Sequence, residues 1–221
     1  MAKQADLAKA GQTSGRAARA AERRRAIVAA ALAEFSDKGF AAARMEDVAT
    51  RAGVAKGTIY LHFPDKRALF QGIVQEVIGP ALVALEAQAP EPGERARDYL
   101  ERVILPLALG LATSPRREVI RLLIAEGSRF PEVAEIYYRE IVERGLATFR
   151  KLAESARLAG EPRAEAIERF PQLVVAPALV GLIWSGLFER FAPLDIEGLI
   201  RTQLDLLLGP PSPGRARPNP A

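Results

Sequence analysis
MEDVATRAGVAKGTIYLHFPDKRALF, residues 45–70, is the stretch on which the reading of this chain turns. Two short helices packed at a steep angle need a small residue where they cross. They also need a residue that accepts positive φ in the turn, and apolar residues facing inward. Ala49 is the small residue, and Gly53 follows four positions later at the turn. Val48, Ala52, Val54 and Ile59 then fall on inward positions. The spacing predicts helices over 45–52 and 56–63. The outward face of the second carries Lys56, Thr58 and Tyr60, and Gly57 lets the backbone approach a ligand closely. Lysine donates to guanine acceptors or phosphate, and threonine bonds a base edge or packs on a thymine methyl. Tyr60 and His62 are placed to donate to phosphate oxygens. Lys66 lies in the first turn of the next helix, where free N–H groups also favour an anion. Positioning donors on both sides of a short reading surface are what a helix-turn-helix needs to read double-stranded DNA. Taken singly, Tyr60 reads equally as a core aromatic and His62, the lone histidine, as a surface or core residue.

Outward from this stretch, the charge is uneven. Residues 1–70 hold 13 Lys and Arg against 7 Asp and Glu, a net +6, whereas the remainder holds 18 against 20, a net −2. A concentrated positive region is the electrostatic footprint of nucleic-acid binding, although a solvated basic tail gives the same count. Residues 1–20 read as a flexible basic arm without the apolar stretch of a secretory signal. A first helix is expected over 16–38, with Ile27, Ala31 and Phe35 on one face and Gly39 ending it.

Downstream, alternating strand patterns are scarce and apolar residues recur at three and four, so the chain reads as all-α. Asp65 is expected to cap a helix through 88. Further helices are expected over 94–111 (bent at Pro106), 115–127, 131–158, 170–191 and 196–208. Residues 209–221, rich in Pro, Gly and Arg, read as a disordered tail. The run 173–188 is almost wholly apolar. A helix apolar all round is usually buried on all sides. In a chain of 221 residues a second subunit is the favoured wall, with the chain's own core as the alternative and a membrane as a remote one.

Composition excludes much chemistry. No cysteine is present, which removes disulfides, thiolate metal sites and cysteine nucleophiles and suits a reducing compartment. A hydrolase triad would have to use His62, and no phosphate-binding or dinucleotide glycine pattern occurs. No enzyme activity, metal or cofactor is expected. An architectural or constitutive DNA-binding protein, and a helical protein-binding module, are the competing functions.

The 45–70 stretch resembles the TetR/AcrR family of bacterial transcription regulators. So does the arginine-rich helix before it, which ends Glu34-Phe-Ser-Asp-Lys-Gly-Phe40. The resemblance implies a three-helix DNA-binding head over 21–66 on a helical-bundle body over 67–208 that binds a ligand and dimerises. It also implies a cytoplasmic, nucleoid-associated homodimer that reads a palindromic operator as a repressor and is released by a small molecule. Carried over position by position, Lys56, Gly57 and Thr58 match the family's base-reading stretch, and Tyr60, His62 and Lys66 its phosphate contacts. The family often has Thr where this chain has Arg44, and Ser where it has Ala55. Both changes remove a hydroxyl cap, and Arg44 replaces the phosphate donor by charge. Residues 125–137 resemble the regulatory domain of the AefR-like subset. For the effector wall the candidates are Leu122, Phe130, Tyr137, Phe149 and Trp184, with Arg121 and Glu126 as polar options. All seven serve equally well as ordinary core or surface positions. Their composition favours an apolar or aromatic ligand.

Overall fold
The computed structural model describes residues 2–112 and 114–212, with only the backbone for 2–14 and Ala112. The described residues hold no strand, as an all-α chain requires. The chain forms two compact units. The first comprises the chain through Val77 with Glu118–Tyr137, and the second comprises Ile78–Arg117 with the chain from Tyr138 on.

In the first unit, α1 spans Ala2–Ala42 and is interrupted at Gly39 (φ 77, ψ 162). Residues 2–15, read from sequence as part of an arm, are thus helical backbone. The physical reason is composition: Ala recurs at 2, 5, 8 and 10, and alanine has the highest helix propensity. Helices α2 (Met45–Arg51), α3 (Lys56–His62) and α4 (Lys66–Ile73) follow. Ile27, Ala31, Phe35, Val48, Ala49, Ile59, Phe63, Leu69 and Phe70 are buried among them. Each large side chain so buried stabilises the head by roughly 1.5–3 kcal/mol. The C-terminal part of α7 (Arg116–Glu126) and α8 (Pro131–Tyr137) complete this unit, burying Val119, Leu122, Val133 and Ile136.

Beyond α4 the chain runs through a π turn, Val74–Ile78, into α5 (Gly79–Glu86). Sequence periodicity predicts an uninterrupted helix here. Pro80 lacks an N–H, and its ring clashes with the carbonyl four residues back, which a wider turn relieves. Lys66–Glu86 is long and apolar enough to cross a membrane by composition alone. Leu69, Phe70, Ile73, Leu82 and Leu85 on this stretch are instead buried in protein, while Val83 faces solvent.

The second unit contains α5, α6 (Ala96–Ala112), α9 (Glu143–Leu158), α10 (Glu165–Arg169), α11 (Ala176–Leu187) and α12 (Ile196–Leu208). Its core gathers Leu82, Leu100, Val103, Ile104, Phe149, Ile167, Ile200 and Leu204. Fully buried Arg97 is neutralised by Asp205 at 2.7 Å and by Glu101. The helix expected over 170–191 is shorter. Pro171 and Pro177 lack the N–H groups a continuous helix would use, so a 3-10 turn (Pro171–Val174) precedes α11. Of the expected tail, the start is anchored. Arg95 donates to the Leu208 and Pro210 carbonyls, and the Ser212 hydroxyl donates to Asp98. Residues 213–221 and Met1 lie outside the described residues.

Candidate nucleic-acid interface
The reading surface is built from α2 and α3. Ala49 and Val48 are buried at the crossing, Gly53 has φ 68 in the turn, and the Val54 N–H donates to the Ala49 carbonyl at 3.0 Å. Ile59 is the one fully buried side chain of α3, which fixes the helix's rotation. Lys56, Gly57 and Tyr60 therefore face solvent, and Thr58 and His62 sit half-buried at the edges. Arg44 is exposed at the start of α2. Both helices begin without a side-chain cap, Arg44 and Ala55 standing at the N-cap positions. That leaves orphan N–H groups at each start free to meet a phosphate oxygen.

Three features were not legible as site chemistry. Lys56 is not free: its ammonium pairs with Glu46 at 2.9 Å. The hydrogen bond raises the lysine pKa and lowers that of Glu46, so both stay charged. A phosphate or base reaching Lys56 would have to displace that carboxylate. Leu61 is 87% exposed, an apolar side chain left in water beside Gly57 and suited to a thymine methyl. Arg51, finally, joins α2 to α1 through Glu34 (3.0 Å) and Asp37 (2.7 Å), and Lys38 reaches Asp47 at 2.9 Å. These bridges tie α2 to α1.

Lys66, carried over from the family as a phosphate contact, is otherwise engaged. Its ammonium donates to the carbonyls of Phe40, Ala41 and Ala43 and stands 4.8 Å over the Phe40 ring. It closes the C-terminal end of α1, where a cation also meets the negative end of the helix dipole. Burial lowers its pKa, partly offset by Glu126. The three N–H groups of the ammonium are taken up by these carbonyls, so in the free protein Lys66 works as an anchor.

The seven candidate wall residues are not brought together as one group. Arg121, Leu122, Glu126, Phe130 and Tyr137 belong to the first unit, and Phe149 and Trp184 to the second. Arg121 is exposed and 3.6 Å from Glu118. Leu122 is buried. Glu126 and Phe130 turn to the end of α1. A Cβ added at Gly39 would lie 2.7 Å from Glu126 Oε1, and the Phe130 ring meets Phe40 edge-on at 5.2 Å. Tyr137 is pushed up to about 12 by burial of its hydroxyl. Phe149 lies in the core, and the Trp184 indole donates to the Ala192 carbonyl at 2.6 Å. A separate open cleft of about 580 Å³ is lined by Arg150, Arg157, Glu165, Glu168 and Arg169, none of them a candidate. No cluster of metal-ligating side chains occurs among the described residues.

A buried three-helix head that presents α3 outward defines a helix-turn-helix DNA-binding regulator. Comparison with known proteins makes the class specific. Residues 27–73 match the profile described as bacterial regulatory proteins, tetR family, and residues 98–190 match the AefR-like transcriptional repressor, C-terminal domain. The HTH-type transcriptional repressor BepR of Brucella suis is 32% identical over 167 residues, covering 72% of this chain and 78% of that one. The regulator RutR of Escherichia coli is 28% identical over 190 residues, covering 86% and 74%. Among solved structures, GusR of Salmonella enterica aligns at a TM-score of 0.64 with 25% identity, covering 85% of this chain and 95% of that one. SmeT in its triclosan complex aligns at 0.69 with 21% identity, covering 90% and 96%. The chain belongs to the TetR family of bacterial transcription regulators.

Proposed function
We propose that this regulator is a homodimeric repressor that reads a palindromic operator through α3 and is released by a small apolar or aromatic molecule. The observation that carries the DNA part is the outward half of α3, where Lys56, Gly57 and Thr58 lie together and Tyr60 and His62 flank them. In this reading each α3 enters a major groove with its N-terminal end toward the bases. Lys56 and Thr58 read base edges, and Arg44, Tyr60 and His62 hold phosphates. Residues 21–66 read DNA, and 67–208 bind the effector and dimerise, in the cytoplasm. Two-fold symmetry then asks for two half-sites about a helical turn apart or a multiple of it.

The dimer is supported by α11. Leu179, Val180, Ile183 and Leu187 are each more than 40% exposed and fall within about 100° of one another around the helix. Such a stripe is suited to a second copy of the chain. The effector class is supported by composition and by relatives of the same fold: SmeT is solved with triclosan, and FadR of Bacillus subtilis with stearoyl-CoA. Release requires the effector to favour one of two arrangements of the protein. Glu126 and Phe130, which touch the end of α1, are suited to carrying that preference to the head.

Selection of duplexes from a random library tests the reading. Recovery of one palindrome is expected. Lys56→Ala should blur discrimination between sites, and Tyr60→Phe should weaken all sites alike. Recovery of unrelated sequences whose binding collapses with salt would instead favour an architectural protein.

A further inference from the structure
Residues 16–23 of α1 serve no core among the described residues. They are all exposed, and among the side chains described the first buried one of the helix is Ile27. This stretch is alanine and arginine with one acidic residue, Glu22, so it is helical by propensity and buries nothing in the described chain. Its arginines are not scattered. At 100° per residue, Arg16, Arg19 and Arg23 fall within about 60° of one another, a single cationic stripe. Like charges three and four residues apart repel and destabilise an isolated helix by a few tenths of a kcal/mol per pair. Among the described residues none of the three has a carboxylate partner.

Position along α1 fixes where the stripe emerges. One residue after Arg23, Arg24 is turned inward. Its guanidinium lies 4.5 Å over the Phe63 ring and 2.6 Å from Glu76. Phe63 is the residue that closes α3. The helix axis therefore passes the C-terminal end of α3 at residue 24. Arg16 then stands about 12 Å further out at 1.5 Å per residue. The stripe begins one residue before Arg24, at the level of the C-terminal end of α3, and runs on toward the amino terminus of α1.

We propose that Arg16, Arg19 and Arg23 form a second DNA contact that tracks the phosphate backbone outside the half-site read by α3. This rests on the DNA-binding reading of α3. A helix with its side chains is about 10–12 Å across and the minor groove only about 6 Å wide, so the contact is along the backbone rather than in that groove. Backbone contacts carry no base information. The stripe raises affinity and salt sensitivity without changing the preferred sequence.

The test compares the full chain with R16Q/R19Q/R23Q and R16K/R19K/R23K on the palindrome the wild type selects, with Kd measured from 50 to 200 mM salt. Each phosphate contact contributes about 0.9 to the slope of log K on log salt. Six contacts in a dimer therefore lower the slope of the Gln variant by about 5. Its affinity deficit at 50 mM shrinks by roughly 1000-fold at 200 mM. The Lys variant keeps the wild-type slope, and all three proteins select one sequence. Equal slopes for wild type and Gln variant, with the palindrome still bound, overturn this proposal and leave the α3 reading standing. Equal slopes together with arginine-dependent retention on anionic lipid vesicles overturn it in favour of a membrane surface. A wild type that binds no DNA overturns both.

Discussion
Replacing Lys66 with Met separates its two assigned roles. In the structure its ammonium satisfies three carbonyls at the end of α1. Ala41 is exposed, so water replaces the lysine there at little cost. Phe40 and Ala43 are buried residues, and each carbonyl left without a donor costs about 1–1.5 kcal/mol. The lost helix-end charge adds a few tenths. Part is regained because a desolvated ammonium is removed, as its lowered pKa indicates. The net is about 2 kcal/mol, close to thirtyfold in the opening equilibrium of the head. Amide hydrogen exchange over residues 27–73 reads it directly, with about thirtyfold faster exchange in α1, α2 and α4. The single tryptophan, Trp184, lies in the second unit, so its fluorescence on heating reads that unit separately from the exchange in the head. Lys66→Arg should retain most of the protection. If exchange in Lys66→Met matches wild type while affinity for every DNA sequence falls, Lys66 is a phosphate contact and the anchoring argument fails.

Gly39→Ala places a side chain at φ 77, ψ 162, a region nearly confined to glycine, and should lower head stability by about 1–3 kcal/mol in denaturant melts. Gly57→Ala is the contrast. The added Cβ meets nothing within 4 Å, so the melt should rise by about 0.5–1 kcal/mol while DNA affinity drops. For Tyr137, burial raises the pKa to about 12, above the ordinary value near 10. The folded chain then holds a proton that the unfolded chain releases. Its stabilising share is complete below pH 10 and is lost as pH rises to 12, about 2–3 kcal/mol in all. Tyr137→Phe should flatten the fall of stability between pH 10 and 11, and an unchanged slope would place the hydroxyl in water. Ile183→Glu puts a charge in the exposed stripe of α11 and should shift sedimentation toward monomer with helix content intact.

Local chemistry was legible without a structure wherever partners lie within a turn or two. The Ala49–Gly53–Ile59 spacing placed the two helices and their turn, because helix periodicity and positive φ are properties of neighbours. Asp65 was expected as a cap, and it accepts from the Ala68 N–H at 2.7 Å. Gly39 was expected to end the first helix, and it is where helical φ and ψ break. The all-helical class followed from composition for the same reason, since propensity sums over residues whatever they pack on.

Tertiary structure decided what depends on partners distant in sequence. Whether Lys66 faces a phosphate or the end of α1 depends on carbonyls 23 to 26 residues earlier. Glu126 and Phe130 look like any polar and aromatic pair until folding sets them against Gly39 and Phe40. Glu46 was an anonymous carboxylate until the turn brought it to Lys56. The sequence by itself determined the helical class, the helix-turn-helix spacing, the Asp65 cap and the Gly39 break, because these are set by torsion preferences and three-to-four-residue spacing. Only the packed chain decided which of the expected donors are already occupied, because an ion pair or a buried carbonyl is a property of two surfaces that meet after folding.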